Sequence, residues 1–249
     1  MILRWHKRAG KGAARALCAA LLILCPATAL AQAKSCVVPD RTPVPRLEKP
    51  GRGEKVRKTP ITSYLLALSW SPQHCAGVRN PKGARDRFQC SGDYGRFGWV
   101  LHGLWPETDH PGYPQWCRPA KTVPQPVLRR HLCMTPSAQL LQHEWAKHGT
   151  CMSPNPAAYF RASQILFDAV KFPDMKKLSA HPQTAGSIRA AFAAANEGIG
   201  PAMIGVTVDG QGWLKEVRLC LGARMRPQRC KPFQAGAGDR RRVRVRPPV

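Results

Sequence analysis

The cysteines constrain the fold of this chain more than any other feature of its sequence. Eight of the ten follow residues 1–31, which carry Cys18 and Cys25 and have the features of an export signal. An even number of cysteines in an exported protein predicts a disulfide framework. None of their spacings matches a zinc-binding pattern. We therefore expect up to four disulfides among Cys36, Cys75, Cys90, Cys117, Cys133, Cys151, Cys220 and Cys230.

The export signal is predicted from charge and hydropathy. Five basic residues and no acidic residue precede a largely apolar run, and Ala29-Leu30-Ala31 supplies a cleavage site. The run is too short and too rich in alanine to predict a membrane span. We expect cleavage after Ala31 and a soluble mature chain, periplasmic or secreted, without stable membrane insertion.

The charge of the mature chain narrows its partners. The formal net charge of +25 loses the five basic residues of the signal and becomes +20. Such a charge favours polyanions, of which nucleic acid is one and anionic lipid or cell wall are others. Charge alone therefore agrees with nucleic-acid binding without specifying it.

One short stretch crowds four ionisable side chains together: His143, Glu144, Lys147 and His148. Ser137 is a typical helix N-cap, and Gly149 predicts the end of that helix after about three turns. At about 100° per residue, the four side chains fall within one arc of roughly 140°. A solvated face of mixed charge is the ordinary meaning of Glu and Lys at helical spacing, but two histidines beside them favour a functional site.

A zinc hydrolase is one alternative, because His-Glu opens the metalloprotease signature, in which two histidines lie four residues apart. His143 and His148 lie five apart, about 140° from each other around an α-helix. One small cation cannot bridge that angle unless the helix unwinds. The pattern therefore favours acid–base chemistry without a metal or another cofactor.

A second stretch supplies the other group that acid–base chemistry needs. The apolar residues 97–101 predict a buried strand that carries His102 near its end and breaks at Gly103 and Pro106. Loops and functional sites gather at strand ends. A single histidine there is more often structural, so the assignment depends on the two stretches taken together.

The two stretches resemble the pair of active-site motifs of the ribonuclease T2 family. His102–Pro106 matches His-Gly-Leu-Trp-Pro, and His143–Cys151 matches His-Glu-Trp-x-Lys-His-Gly-Thr-Cys, both without a mismatch. The Leu-Ser-Trp-Ser-Pro sequence that begins at Leu68 also resembles this family. Two long motifs in the right order and spacing are a specific signal.

The resemblance implies a role for each motif residue. His148 would be the base and His102 the acid, with His143 on the phosphate, Lys147 stabilising the transition state, and Glu144 holding Lys147 or sharing a proton. Imidazole, with a reference pKa of about 6.5, can serve as either acid or base. RNA supplies its own nucleophile, the 2′-hydroxyl, so we expect a 2′,3′-cyclic phosphate, later opened to a 3′-phosphate, and no cleavage of DNA.

The resemblance also implies a site that binds a nucleobase of the RNA and one disulfide. Trp105, Glu107 and Tyr113 match family positions for the first base, although Glu107 stands where Asp is frequent. Aromatic stacking with a few polar contacts is a common way to bind single-stranded RNA. The implied disulfide joins Cys117 to Cys151. A cysteine that many eukaryotic members carry shortly after Trp-Pro is missing here, so one disulfide must differ.

The other cysteine pairs rest on proximity and on what remains, among on the order of 100 pairings that the sequence leaves open. Proximity favours Cys75–Cys90 and Cys220–Cys230, and Cys36 and Cys133 are then left. His110 and His131 have no motif around them and are interpreted as ordinary surface or structural histidines.

Strands and helices alternate without a regular βαβ pattern, which predicts an α+β domain with an antiparallel β-sheet flanked by helices. We expect this catalytic domain over residues 59–233, after a mobile basic proline-rich linker at 32–58. The basic residues 234–249 are predicted to be a disordered tail that adds affinity for RNA and no chemistry. Strands are predicted at 63–70, 204–208 and 213–221, with a turn at Asp209-Gly210.

The rival to a ribonuclease and to a zinc enzyme is a non-catalytic basic protein that binds RNA or the cell envelope. A binder has no need of both His102 and His148, and a zinc enzyme needs a third ligand that the sequence does not nominate. We therefore expect an exported, monomeric endoribonuclease that acts on single-stranded RNA.

Overall fold

The structure, a computed structural model, describes residues 36–109 and 112–249. The predicted signal at 1–31 and His110 lie outside the described residues. In the part of the chain that is described, no helix is long and apolar enough to cross a membrane.

The domain is built on a four-stranded antiparallel sheet with the order β2-β1-β5-β4. A separate two-stranded ladder pairs β3 with β6. The strands are β1 (Ser63–Trp70), β2 (Trp99–Glu107), β3 (Gln183–Thr184), β4 (Ile204–Val208), β5 (Leu214–Gly222) and β6 (Arg242–Val243). The predicted strand at 63–70 and the predicted hairpin of β4 and β5 are confirmed.

Helices fill the connections between the strands. Side chains cap four of the described helices, since each N-cap side chain accepts a hydrogen bond from a backbone N–H of the first turn. These N-cap residues are Ser137, Asn155, Asp174 and Thr184. The helices are α1 (Ser71–Ala76), α2 (Arg87–Cys90), α3 (Gln125–His131), α4 (Ala138–Glu144), α5 (Thr150–Met152), α6 (Pro156–Ala169), α7 (Met175–Ser179), α8 (Ala185–Ala195) and α9 (Pro232–Ala235), with a π-helical turn at Trp145–Gly149 and a 3₁₀ turn at Pro201–Met203.

The hydrophobic core lies between the sheet and these helices. Trp99 of β2 is fully buried and contacts Trp70, Phe172 and Phe192 through its ring. Aromatic clusters of this kind dominate the energetics of a core. The predicted α+β class, with an antiparallel sheet flanked by helices, is therefore confirmed. The apolar residues of α6 predict that Ile165 lies on the buried face of this helix. This prediction is wrong, because Ile165 is 60% exposed.

Four disulfides tie the chain together. They join Cys36 to Cys133, Cys75 to Cys90, Cys117 to Cys151 and Cys220 to Cys230. The resemblance implied the pair Cys117–Cys151, and proximity in the sequence favoured Cys75–Cys90 and Cys220–Cys230. Cys36 and Cys133 were the two cysteines left over. The first disulfide closes the longest loop, with a sequence separation of 97 residues.

The described part of the predicted linker, residues 36–58, lies against the rest of the domain and forms no helix. Beyond its disulfide at Cys36, it is held where Arg57 forms an antiparallel bridge with Gln115. Arg46 exchanges hydrogen bonds with the side chain of Gln139. The proline-rich composition correctly excluded a helix, but it gave no sign of these contacts.

The prediction of a disordered tail is wrong. The residues after 233 form α9 and β6, and Val243 and Val245 are buried. The indole N–H of Trp70 donates to the carbonyl of Arg246, and the guanidinium groups of Arg244 and Arg246 each lie 4.3 Å from the ring centroid of Trp213. Alternating valines are a strand signal, which the arginines between them obscured.

Candidate active site

His102 lies in the middle of β2, not near its end as predicted. The register between β1 and β2 shifts there, because Ala67 pairs with Gly103 and Leu68 pairs with Leu101. His102 is the extra residue of this bulge, and bulges re-aim side chains beside functional sites. Its ring is 33% exposed.

The two residues predicted to break this strand do not break it. Pro106 pairs with Tyr64, and β2 is an edge strand of the sheet, where proline is tolerated. Gly103 has a different reason to be there. A Cβ at Gly103 would lie 1.9 Å from Oε2 of Glu144, so only glycine lets the carboxylate of the second motif approach the strand.

The helix that carries the second motif does not end at Gly149. It passes from α4 through the π-helical turn at Trp145–Gly149 into α5. A π turn closes hydrogen bonds over five residues rather than four and is frequent at functional sites. The angle of about 140° between His143 and His148 assumed a regular α-helix, so it does not describe this segment.

Two residues of the first motif, both on β2, meet at Glu144 of the second motif, whose side chain is 2% exposed. One carboxylate oxygen accepts a hydrogen bond from the indole N–H of Trp105 at 2.8 Å. The other lies 3.6 Å from Nε2 of His102. Burial raises the pKa of Glu144, although the nearby His102 and His143 oppose that shift. Glu144 does not accept a hydrogen bond from Lys147, whose Nζ donates to Glu54 instead.

His102 lies between two carboxylates. Its Nδ1 is 2.5 Å from Oε1 of Glu216 on β5, while its Nε2 faces Glu144. Burial by itself lowers the pKa of His102, but the hydrogen bond to Glu216 and the charge of Glu144 outweigh burial, so that the pKa is raised. The same contact holds the pKa of Glu216 at about 2 against the effect of its burial.

His148 has the opposite surroundings. Its ring stacks on Trp105 at 5.5 Å and lies 5.8 Å from the ring of Tyr113. Its Nδ1 is buried and has no hydrogen-bond partner among the described residues. Burial lowers the pKa of His148 well below its ordinary value, and the charges of Lys147 and His143 lower it further. This imidazole is therefore neutral where His102 is protonated.

The amino-terminal segment supplies carboxylates to Lys147 and His143 of the second motif. Glu54 accepts a hydrogen bond from Nζ of Lys147 at 2.6 Å, and Oε2 of Glu48 lies 3.7 Å from Nδ1 of His143. Burial lowers the pKa of Lys147, but the bond to Glu54 outweighs it, so the net shift is upward. Sequence analysis missed both glutamates, because they lie almost a hundred residues from the motif in a basic segment.

Of the predicted residues of the nucleobase site, Trp105 and Tyr113 both contact the ring of His148, and Glu107 is the last residue of β2. Trp105 also contacts His102 in a T-shaped arrangement, and the guanidinium of Arg218 lies 5.2 Å from its ring. Glu107 is buried, which raises its pKa to about 7 although the amide of Gln234 and nearby cations oppose the shift. Tyr113 lies on the loop after β2, and the guanidinium of Arg57 lies 5.2 Å from the ring of Tyr113.

Glu216 and Arg218 are two further site residues that sequence reasoning missed. Both lie on β5, an interior strand of the sheet. Glu216 is 3% exposed, and the residues that pair with it on the neighbouring strands are Ser69 and Thr207. A carboxylate within a mostly apolar interior strand is a signal for a buried ion pair or a functional group, and it was available in the sequence.

His102 and His148 have opposite pKa shifts and contact the same aromatic ring, an arrangement that acid–base chemistry can use. Comparison with known proteins identifies the family. The sequence model of the ribonuclease T2 family matches residues 61–230. The chain therefore belongs to the ribonuclease T2 family.

Two curated relatives are similar over part of the chain. A "Probable ribonuclease" of Haemophilus influenzae is 40% identical over 130 residues, which are 48% of this chain and 47% of the relative. A "Ribonuclease" of Aeromonas hydrophila is 46% identical over 88 residues, 35% of this chain and 36% of the relative. The chain thus spans about half the length, or less, of the curated relatives it matches.

Solved structures share the fold. Trichomaglin, described as an S-like ribonuclease, has a TM-score of 0.59 at 19% identity and covers 74% of this chain and 97% of its own. RNase NT, solved in complex with 5′-AMP, has a TM-score of 0.56 at 22% identity and covers 77% of this chain and 100% of its own. At these identities the likeness concerns the fold.

Proposed function

We propose that this protein is an exported endoribonuclease that cleaves single-stranded RNA through a 2′,3′-cyclic phosphate and then yields 3′-phosphate ends. The observation that carries the proposal is the pair His102 and His148, whose pKa values are shifted in opposite directions beside one aromatic ring. An acid and a base with separated pKa values can coexist in their working states over a wide pH range.

In the first step, neutral His148 accepts the proton of the 2′-hydroxyl as that oxygen attacks phosphorus. Protonated His102 donates its Nε2 proton to the leaving 5′-oxygen. Lys147 and His143 offset the negative charge that gathers on the phosphoryl oxygens. In the slower second step, water opens the cyclic phosphate with the acid and base roles exchanged.

Glu144 acts on this reaction from its buried position. Its raised pKa makes a shared proton between its carboxyl group and a phosphoryl oxygen accessible. It also orients Trp105 through the indole N–H. We assign the first base to Trp105, Glu107 and Tyr113, with stacking on the aromatic rings and polar contact through Glu107.

The direct test is cleavage of single-stranded RNA by the purified protein in excess chelator, with products followed in time by mass spectrometry. We expect the cyclic phosphate before the 3′-phosphate and no product from DNA of the same sequence. Cleavage that chelator abolishes and zinc restores would favour the zinc hydrolase. Binding of RNA without any cleavage would favour the non-catalytic binder. Direct formation of 5′-phosphate ends would refute attack by the internal 2′-hydroxyl.

Export and oligomeric state are separate parts of the proposal. Removal of residues 1–31 is tested by sequencing the amino terminus of protein recovered from the periplasm or medium, where we expect Gln32 first. Four disulfides agree with an oxidising compartment. Light scattering tests the monomeric state, for which we expect a molar mass equal to that of one chain.

A further inference from the structure

The carboxylate of Glu216 lies behind His102, on the side of the ring away from Glu144. Its Oε1 is 2.5 Å from Nδ1 of His102, and the hydroxyl of Ser69 donates to the same oxygen at 3.4 Å. Its Oε2 accepts a hydrogen bond from Nε of Arg218 at 3.0 Å and forms an ion pair with Nη2 of the same guanidinium at 2.9 Å. Both oxygens are therefore engaged, and the side chain is 3% exposed.

These contacts decide which nitrogen of His102 can react. A ring nitrogen this close to a carboxylate carries a proton and donates it. Nδ1 is thus occupied in either charge state of the ring, and Nε2 is left as the nitrogen that gains or loses a proton. Nε2 faces the interior of the site, 3.6 Å from Glu144.

We propose that Glu216 is the positioning residue of His102, which fixes the ring by Nδ1 and presents Nε2 to the leaving oxygen, with Arg218 locking the carboxylate from its other side. This inference rests on the proposed function and extends it to a residue outside both motifs. Arg218 has a second contact, because its guanidinium also lies over the ring of Trp105. Glu216 and Arg218 therefore connect His102, the proposed acid, through β5 to Trp105 of the proposed nucleobase site.

Several charged or titratable groups face His102 besides Glu216. Glu144 lies opposite on α4, Arg218 lies next to Glu216 on β5, and His148 lies across the site on the π turn. Of these, the two glutamates favour the protonated ring, whereas Arg218 opposes it. Removing the charge of Glu216 while keeping its shape should therefore make His102 lose its proton at a lower pH.

The experiment compares Glu216→Gln, Glu216→Asp and the control Glu197→Gln, which makes the same chemical change at an exposed position. Two quantities are measured on each full-length, folded protein: the pH profile of kcat/KM on a dinucleotide, and the titration of His102 by NMR. In Glu216→Gln we expect the alkaline limb and the His102 titration to move down together by about one pH unit or more. The rate at the plateau should fall roughly 10- to 100-fold, as when an outer-shell partner of a functional histidine is removed.

Glu216→Asp keeps the charge and should restore part of both shifts, while Glu197→Gln should change neither. A Glu216→Gln protein with a native melting temperature, an unmoved alkaline limb and an unmoved His102 titration would overturn the proposal. If Glu216→Gln does not fold, Glu216→Asp carries the test, with a smaller downward shift expected and no shift overturning the proposal. Failure of the proposed function is distinguishable, because a wild-type protein that does not cleave RNA still reports the coupling through the NMR titration.

Discussion

His102 and His148 have the same side chain and contact the same tryptophan, yet their surroundings are opposite. His102 lies on a strand bulge between the carboxylates of Glu216 and Glu144. His148 lies on a π turn, stacked on Trp105, where burial and then the charges of Lys147 and His143 lower its pKa. The difference teaches that burial and neighbouring charge, both set by the fold, move the pKa values of two identical side chains in opposite directions.

The largest effect should come from removing either ring. His102→Ala and His148→Ala should each lower kcat/KM by about 10²- to 10⁴-fold, the usual contribution of one acid–base group. The double variant should lose less than the product of the two, because groups that act as a unit are not additive. Steady-state kinetics on RNA measures this, with His181→Ala, an exposed histidine, as the matched control. Near-full activity in either folded variant would refute its assigned role.

The pH profile of the wild-type protein tests the comparison directly. His148 must be neutral to act as base, and its lowered pKa puts the acid limb well below about 6.5, the ordinary value for histidine. His102 must be protonated to act as acid, and its raised pKa puts the alkaline limb above that value. We expect a broad bell in kcat/KM, with a plateau between the limbs. A narrow bell centred on a single value would mean that the two environments do not differ as described.

Glu144→Gln should change the limb of the pH profile that belongs to His102 and leave the limb that belongs to His148. Loss of this negative charge removes support for the protonated His102, so the alkaline limb should move to lower pH. The acid limb should stay in place, because Glu144 is not among the groups that shift His148. The same pH series gives both limbs, so the acid limb serves as the internal control. Parallel movement of both limbs would contradict the proposed separation.

The smallest effect is expected at Glu54, which accepts a hydrogen bond from Nζ of Lys147. Glu54→Gln should free that ammonium group for phosphate and lower KM at low salt by up to about fivefold, since a partly exposed pair contributes up to about 1 kcal/mol. Kinetics at low and high ionic strength measures it, with Glu197→Gln as control, and added salt should reduce the difference. An unchanged or higher KM at low salt would show that Glu54 does not compete with phosphate.

Local signals predicted much of the fold. The capping residues Ser137 and Asn155 marked true helix starts, and β1 and the β4–β5 hairpin followed from apolar runs with a turn between them. Where prediction failed, distant contacts outweighed local preference. Pro106 continues a strand because that strand is an edge, and the arginine-rich tail folds because Val243 and Val245 enter the core.

The sequence by itself determined the identity and order of the two motifs, the number of cysteines and the basic charge. These are properties of composition and short-range spacing, which need no partner from elsewhere in the chain. Only the tertiary structure decided which nitrogen of His102 is free, which carboxylate lies behind it and which acids cover Lys147 and His143. The contact between His102 and Glu216 spans 114 residues. The pKa of a side chain depends on the charges within a few ångströms of it, and the fold alone decides which of them lie there.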